Sequence, residues 1–513
     1  MNPSIAELTE HAPGDAAAAP SPGRPDPRPS GLDGSVAVSR PLPEWGAGAG
    51  AVAHERSLPG ALANVQVREA LVDTWQALWR SRLLVWLAGA GAVLAFGFGP
   101  DRKVIQHAAL THGFGSLGDL LVAPAARWDA AWYLLIAHAG YGPSLGSATA
   151  ARSAFYPLYP LAVHLLSFAS LTVAGILVSV AALATALYLL HRLSALEVRT
   201  GTLAVGHARS PREVARLAVG VLAFSPMAFF LSAIYSESLY LALSIAVFWF
   251  ARRGRWALVG TCGALAGATR PTGILLLAPA AILYLYGPRE DRPPDRGPGG
   301  RGWRRIGPAG LMSASPLLGS LRTRYWVRPD VLWLTLMPAG LLLFMAYLGL
   351  AGGDVTTPFS AQSFWGRELA GPFSGLWSGA TAAFDGLRQL ISGQAHHAYL
   401  AQATGNPLVN ASHNLLLFCF AVGALAAAVG VLRRLPLAYG AYTVLALALP
   451  VSYPVRSEPL MSLPRFLLVL FPMSMWAAAW LAGRRRTSVA TLALSALALV
   501  FFTGAFATWH WVS

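Results

Sequence analysis

LLVWLAGAGAVLAFGFG, residues 83–99, is an apolar run without a single charge, and Arg80 and Arg82 stand directly before it. A run of that length is near the minimum that lets a helix cross a bilayer. Arginines ahead of it keep its N-terminal end in the cytoplasm. The same punctuation repeats along the chain, apolar runs separated by Arg-rich or Pro/Gly-rich breaks. Of 513 residues, 55% are hydrophobic and 12% charged, against roughly 25% charged in an average soluble domain. With a mean hydropathy of +0.51, a soluble enzyme is excluded. The formal charge of +15 would suggest nucleic acid in a soluble chain. Here the arginines sit at the ends of apolar runs, where they set membrane orientation, so no nucleic-acid partner is expected. Cys262 and Cys419 both lie inside apolar segments, which leaves neither a disulfide framework nor a thiolate metal site.

Upstream of the run, residues 1–70 are rich in Ala, Pro and Gly and lack apolar periodicity. They read as a disordered cytoplasmic tail. No short apolar run with a cleavage site precedes Leu83, so the tail is expected to stay attached. Downstream, residues 100–154 form a first long external loop of moderate hydropathy, expected to hold surface or interfacial helices. The Arg-rich stretch 192–216 belongs inside, so 155–190 allows one net crossing and Phe155 to Ser167 is re-entrant or interfacial. The runs 214–232 and 236–252 form a hairpin turning at Tyr235-Ser-Glu237. Residues 256–286, broken at Arg270-Pro271, form a short hairpin whose external turn lies below the membrane surface. A cytoplasmic loop, 288–330, an outward span at 331–350 and a second external loop, 351–413, come next. The runs 414–432, 437–453, 464–482 and 488–509 complete the count. The expectation is an all-α polytopic membrane protein of about eleven transmembrane helices, its membrane domain covering 80–513.

On this topology the unusual sequences fall on one side. They are ARWDAAWYLLIAHAGYG (126–142), FYPLYP (155–160), IYSES (234–238), TRPTG (269–273), FWGREL (364–369) and RSEPLMSLPRF (456–466). Asp129, seated at the interface by the apolar stretch after it, suits a general base for a sugar hydroxyl. It equally suits an N-cap for a helix starting at Ala130. Glu237 sits at a hairpin tip, where it either contacts a sugar, pairs with Arg270 or meets water. Arg270 below the surface needs an anion, either a lipid phosphate or Glu237. Trp128, Tyr156, Tyr159, Tyr235, Trp365 and Arg367 are candidates for sugar or acceptor contact, although aromatics gather at membrane interfaces in any case. His396, His397 and His413 lack a carboxylate at ligand spacing, so no metal is expected. No phosphate-cradling Gly loop, HExxH or GxSxG occurs.

In their order, RWDA, IAHAGYG, FYPLYPL, YSESLY and ATRPTG resemble the PIG-V family of mannosyltransferases, the second GPI mannosyltransferase and its bacterial relatives, within the GT-C superfamily. The likeness is specific through about residue 280 and looser in WGREL and SLPRFLLVLFP. It implies a GT-C-like fold and transfer of mannose, or another sugar, from a polyprenyl-phosphate donor to a glycolipid or glycoprotein acceptor. The reaction would take place at the external face of the cell membrane, with no cofactor. It also implies that Asp129 is the functional carboxylate of the first external loop. The mechanism expected is an inverting displacement with Asp129 as general base, and with Arg270, Arg127 and Arg465 on the donor phosphate. Pro271-Thr272-Gly273 departs from the Ser-Asn-Gly of the eukaryotic members. The rival reading, a transporter or flippase of lipid-linked sugars, would call for an internal repeat, and none is evident. A structural partner in an envelope complex would leave Glu237 and Arg270 unexplained.

The topology makes a direct prediction. In intact cells an impermeant thiol reagent should label a cysteine placed at Ser374 and spare one placed at Ser313, and the opposite pattern would refute the arrangement.

Overall fold

The computed structural model describes residues 60–97, 115–142, 151–168, 170–206, 210–295, 323–351, 354–401 and 405–510, with residues 403 and 512. Ser313 and most of the Arg-rich 288–330 loop lie outside these. Among the described residues there are helices and turns but no strand, and the one ladder contact is an antiparallel bridge between Arg367 and Val455.

The first apolar run is the C-terminal part of a longer helix, α1 (Gly60–Phe96). This corrects the expected boundary of the tail. Residues 60–70 are helical because the turn that follows buries Ala70, Asp73 and Thr74; residues 1–59 lie outside the described residues. In the segment read as the first external loop, α2 (Gly115–Val122) and α3 (Ala130–Ala139) are found. α3 was expected at the surface. It is instead packed inside, with Ala130, Tyr133, Leu134, Ile136 and Ala137 buried, as befits AAWYLLIA, which is apolar on every face. α4 (Leu158–Leu165) is only about 12 Å long at 1.5 Å per residue and does not cross by length. α5 (Leu171–Arg199) starts afresh, capped by the Ser170 hydroxyl, which accepts from the Val173 amide.

α6 (Pro211–Ala223) and α7 (Glu237–Arg252) flank a 3₁₀ turn at Ala228–Leu231. α8 (Trp256–Thr269) stops at Arg270, where the following Pro271 forces an extended backbone, φ −155° and ψ 149°. A 3₁₀ turn, Pro271–Leu276, leads into α9 (Leu277–Tyr286). Gly273 lets that turn fold back onto α8, since a Cβ there would collide with the backbone of Ala266 and Gly267. α10 (Ala339–Leu350) follows the 3₁₀ segment Pro329–Leu336 at a 41° bend. Then come α11 (Thr357–Ser360), α12 (Pro372–Ser392), α13 (Pro407–Arg434) and α14 (Leu437–Val451). The short α15 (Leu463–Leu467), α16 (Phe471–Leu481) and α17 (Arg485–Ala507) end the chain. Among the described residues, α1, α5, α13 and α17 are each long and apolar enough to cross a membrane, and the bent pair ending in α10, taken as one span, brings the number to five. The other apolar runs are cut by breaks such as that at Pro271, into helices too short to pass the same test.

Ion pairs, some of them fully buried, knit the arginine-bearing helix ends together. Arg212 on α6 makes two hydrogen bonds to Asp73 of α1, at 2.9 and 3.1 Å, and His191 of α5 lies 3.1 Å from the same carboxylate. Glu197 on α5 accepts from Arg252 of α7 at 2.5 Å and from the Tyr439 hydroxyl of α14 at 2.6 Å. Arg82, expected as a flanking charge outside the first span, is buried instead. It donates to the carbonyl of Ala223, which the end of α6 leaves without a helical partner, and to that of Ala228 in the 3₁₀ turn that follows. Beyond α9, the Arg289 guanidinium lies over the rings of Trp256, Tyr284 and Tyr325 and pairs with Asp291. There, Trp326 donates its amide to Asp295, and Tyr325 donates its own to the Leu285 carbonyl.

Breaking one half of a buried pair strands the other charge, at about 3–5 kcal/mol. Arg252→Met should therefore lower the melting temperature in detergent sharply. Adding Glu197→Gln should recover much of the loss; failure to recover any would deny that stranded charge is the cause.

Candidate functional site

Asp129 occupies the residue before α3, the position of an N-cap, yet its side chain makes no capping bond. The cap reading is therefore set aside: the carboxylate turns to Arg465, whose Nη1 donates to Oδ2 at 2.6 Å. The backbone around Asp129 is held by Tyr235, whose hydroxyl accepts from the Asp129 amide and donates to the Arg127 carbonyl, both at 3.0 Å. Trp128, just before it, has φ 55°, a left-handed conformation that a bulky residue seldom adopts. Ser462, ahead of Arg465, has φ 67°, and Trp509, whose ring packs 5.4 Å from that of Trp128, has φ 65°. Strain of this kind persists only where the surroundings enforce it, and it collects at functional sites.

Glu237 is the first residue of α7, where the helix dipole favours a negative charge. Its side chain is 1% exposed, and its Oε1 lies 2.7 Å from Arg270 Nη1 and 3.2 Å from Arg465 Nε. The four side chains thus form one chain of alternating charge, Asp129, Arg465, Glu237 and Arg270. Of the two partners foreseen for Arg270, the structure supplies Glu237. Neither Glu237 oxygen meets the geometry of a hydrogen bond among the described residues, so charge rather than direction holds it.

Arg367 joins from the segment read as the second external loop. Its Nη2 donates to the Met461 carbonyl at 3.0 Å, and no carboxylate pairs with it among the described residues. Burial and the like charge of Arg465 push it down to about 10. The guanidinium carbons of Arg270, Arg367 and Arg465 lie 5.2, 5.7 and 5.3 Å from the centroid of the Phe466 ring. Three guanidiniums thus meet two carboxylates, and one positive charge is left for an anion. Asp129, with 20% of its side chain exposed, stays reachable.

The remaining expected residues divide. Arg127 is not brought to this cluster: its Nε donates to the Ala507 carbonyl and its guanidinium lies over Trp509. Tyr159 is buried against α5, with its hydroxyl on Ser179 and the Gly175 carbonyl. Tyr156 is buried beside Phe344, and Trp128 and Tyr235 serve the backbone turn just described. Trp365 keeps partial exposure, in an aromatic group with Trp132, Phe155 and Phe364. Trp132, one turn after Asp129, escaped the sequence reading, as did Phe466, Ser462 and the Tyr133–Ser236 hydroxyl contact. Among the described residues no three His, Cys, Asp or Glu side chains gather at metal-binding distance. An apolar cavity of about 520 Å³ lies between α3, α4, α8 and α10, lined by Ile136, Tyr141, Leu161, Ala268 and Phe344 among others.

A sequence model described as Mannosyltransferase (PIG-V) matches residues 114–284. Over that segment the chain is similar to the PIG-V mannosyltransferase family. No curated protein and no solved structure gave a match. The PIG-V segment contains Asp129, Glu237 and Arg270, whereas Arg367 and Arg465 come from beyond it and reach the cluster through the fold. The description of that family names transfer of mannose, and among the described residues the match is accompanied by helices long and apolar enough to cross a membrane.

Sharing of Glu237 between two arginines has an energetic signature. Glu237→Gln strands Arg270 and leaves Arg465 with Asp129 alone, whereas Arg270→Gln leaves Glu237 still paired with Arg465. Thermal unfolding in detergent should show the larger loss for Glu237→Gln; the reverse order would mean that Arg465 does not share the carboxylate.

Proposed function

We propose that this protein transfers mannose from a polyprenyl-phosphate mannose donor to a lipid- or protein-linked acceptor, with inversion, at the external face of a bilayer that it crosses about eleven times with its N-terminus cytoplasmic. The observation that carries the reading is the surplus guanidinium beside a reachable carboxylate. A donor phosphate would relieve the charge on Arg367 and compete with Asp129 and Glu237 for Arg465 and Arg270. In the resting chain Arg465 holds the Asp129 carboxylate. As the phosphate draws Arg465 away, that carboxylate is freed to meet the acceptor hydroxyl, so donor binding and access to the base are linked.

In the chemical step the acceptor hydroxyl oxygen attacks the anomeric carbon and its proton passes to Asp129. The bond from that carbon to the phosphate oxygen breaks, and the phosphate leaves with the electron pair. Arg270, Arg367 and Arg465 stabilise the charge that appears there, where one fixed donor is worth about 3 kcal/mol. Trp132 and Trp365 offer partly exposed rings for the sugar face. The 520 Å³ cavity begins two turns along α3 from Asp129 and includes Ala268, just before Arg270, which suits the apolar chain of the donor.

The test is transfer of labelled mannose from polyprenyl-phosphate mannose by the full chain in proteoliposomes. Asp129→Asn keeps the size and an acceptor oxygen, and should lower turnover more than about a hundredfold at unchanged expression. Arg367→Gln removes a cation without stranding a carboxylate, so it should raise the donor KM while leaving the melting temperature within a degree or two. Near-normal turnover of Asp129→Asn would remove the base from the mechanism.

A further inference from the structure

α12 divides lengthwise into three arcs. At 100° per residue, Gly375, Gly379, Ala383 and Gly386 fall within about 80° of arc and are all buried. A Cβ at Gly375 would strike the Val451 carbonyl, one at Gly379 the Leu460 side chain and one at Gly386 the Ala411 carbonyl. This is the face that grips the protein. Phe373, Trp377, Phe384, Leu387 and Ile391 occupy a second arc of about 80°, and all are exposed, Phe373 by 88%, Ile391 by 78% and Trp377 by 73%. The third arc, between the other two, holds Ser374, Ser378, Thr381, Asp385, Arg388 and Ser392.

A helix of 21 residues is about 31 Å long, enough to span. It fails the compositional test that α13, beside it, passes. The reason is the polar arc, which runs unbroken from Ser374 to Ser392 and cannot lie in hydrocarbon over its whole length. Such a helix satisfies all three arcs only if it lies flat, with protein on one side, acyl chains on the second and water on the third. α13, which packs beside α12, also exposes Val422, Leu425 and Val429 on one side. Arg388 sits at the seam between the apolar and polar arcs, its guanidinium over the rings of Phe384 and Tyr399, as a cation does when its stem lies along apolar surface and its head reaches water.

We infer that α12 lies in the headgroup layer of the membrane, with Phe373, Trp377, Phe384, Leu387 and Ile391 inserted at the acyl boundary. The lipid surface then fixes the height of the site. The chain entering α12 bonds to the next arm: Ala370 and Gly371 both donate to the Ser452 carbonyl, and Arg367 bridges to Val455 and donates to Met461. That arm leads through Ser462 to Arg465.

Spin labels read the arrangement independently of activity. With Cys262→Ala and Cys419→Ala as background, single cysteines are placed by Phe373→Cys, Trp377→Cys, Phe384→Cys and Ile391→Cys on the bulky arc. Ser374→Cys, Thr381→Cys and Arg388→Cys report the polar arc, and every variant is checked for a monodisperse elution profile. In vesicles of phosphatidylcholine and phosphatidylglycerol, the first four labels should be relaxed by oxygen and shielded from a nickel chelate. They should share one shallow depth, while the other three are relaxed by nickel. Nickel access at all seven would place the face in water, and shielding from both reagents would place it against a protein. Depth increasing steadily from residue 373 to 391 would make α12 a spanning helix. Each of these three results overturns the inference.

Discussion

A carboxylate that is 1% exposed at the tip of an apolar hairpin sets the terms for the rest of this molecule. Burying the charge of Glu237 is expensive unless cations come to it, and two do, from helices far apart in sequence. To meet it, α8 must stop at Arg270 so that the guanidinium turns inward, and Pro271 enforces the stop. Arg465 must arrive from the last third of the chain, and Ser462 in a left-handed conformation aims it. Once there, its second contact holds Asp129. The geometry of the proposed base is therefore inherited from a charge that does no chemistry of its own.

The same helix that begins with Glu237 ends with Arg252, which pairs with Glu197. At 1.5 Å per residue the two ion-paired clusters stand roughly 22 Å apart along α7. Between them the interior is largely hydrocarbon side chains with tilted and edge-to-face aromatic contacts, for example Phe248 against Tyr439 and Phe471. Fixed charge at each end and apolar packing between is the distribution a bilayer selects, and it accounts for buried arginines in a chain with few acids.

Local breaks were legible in the sequence because each has a local cause. The interruption at Arg270-Pro271 falls where proline puts it, and Leu158–Leu165 is separate from Leu171–Arg199. Asp129, Glu237, Arg270, Arg367 and Arg465 stood out as charges in apolar or aromatic surroundings, and the fold brings these five together. What sequence could not give was which cation meets which carboxylate, because that depends on packing between helices hundreds of residues apart. Phe466 and Trp132 were overlooked because an aromatic in an apolar run carries no signal until its neighbours are known. Arg82 reads in the sequence as a charge that sets orientation and Arg127 as a donor-phosphate ligand, and the fold puts a backbone carbonyl on each. The N-terminal part of α1 was missed because Glu69 and Asp73 acquire their partners, Arg212 and His191, only in the folded chain.

The knot around Arg289 bears on how such a protein can vary. The guanidinium held among Trp256, Tyr284 and Tyr325, together with the bonds from Trp326 to Asp295 and from Tyr325 to Leu285, fastens the two strands of chain that leave and re-enter the helical body. An insertion between two points so fastened is expected to leave the spacing of α9 and α10 undisturbed, since doubling the length of a loop costs only about 0.6 kcal/mol of closure entropy.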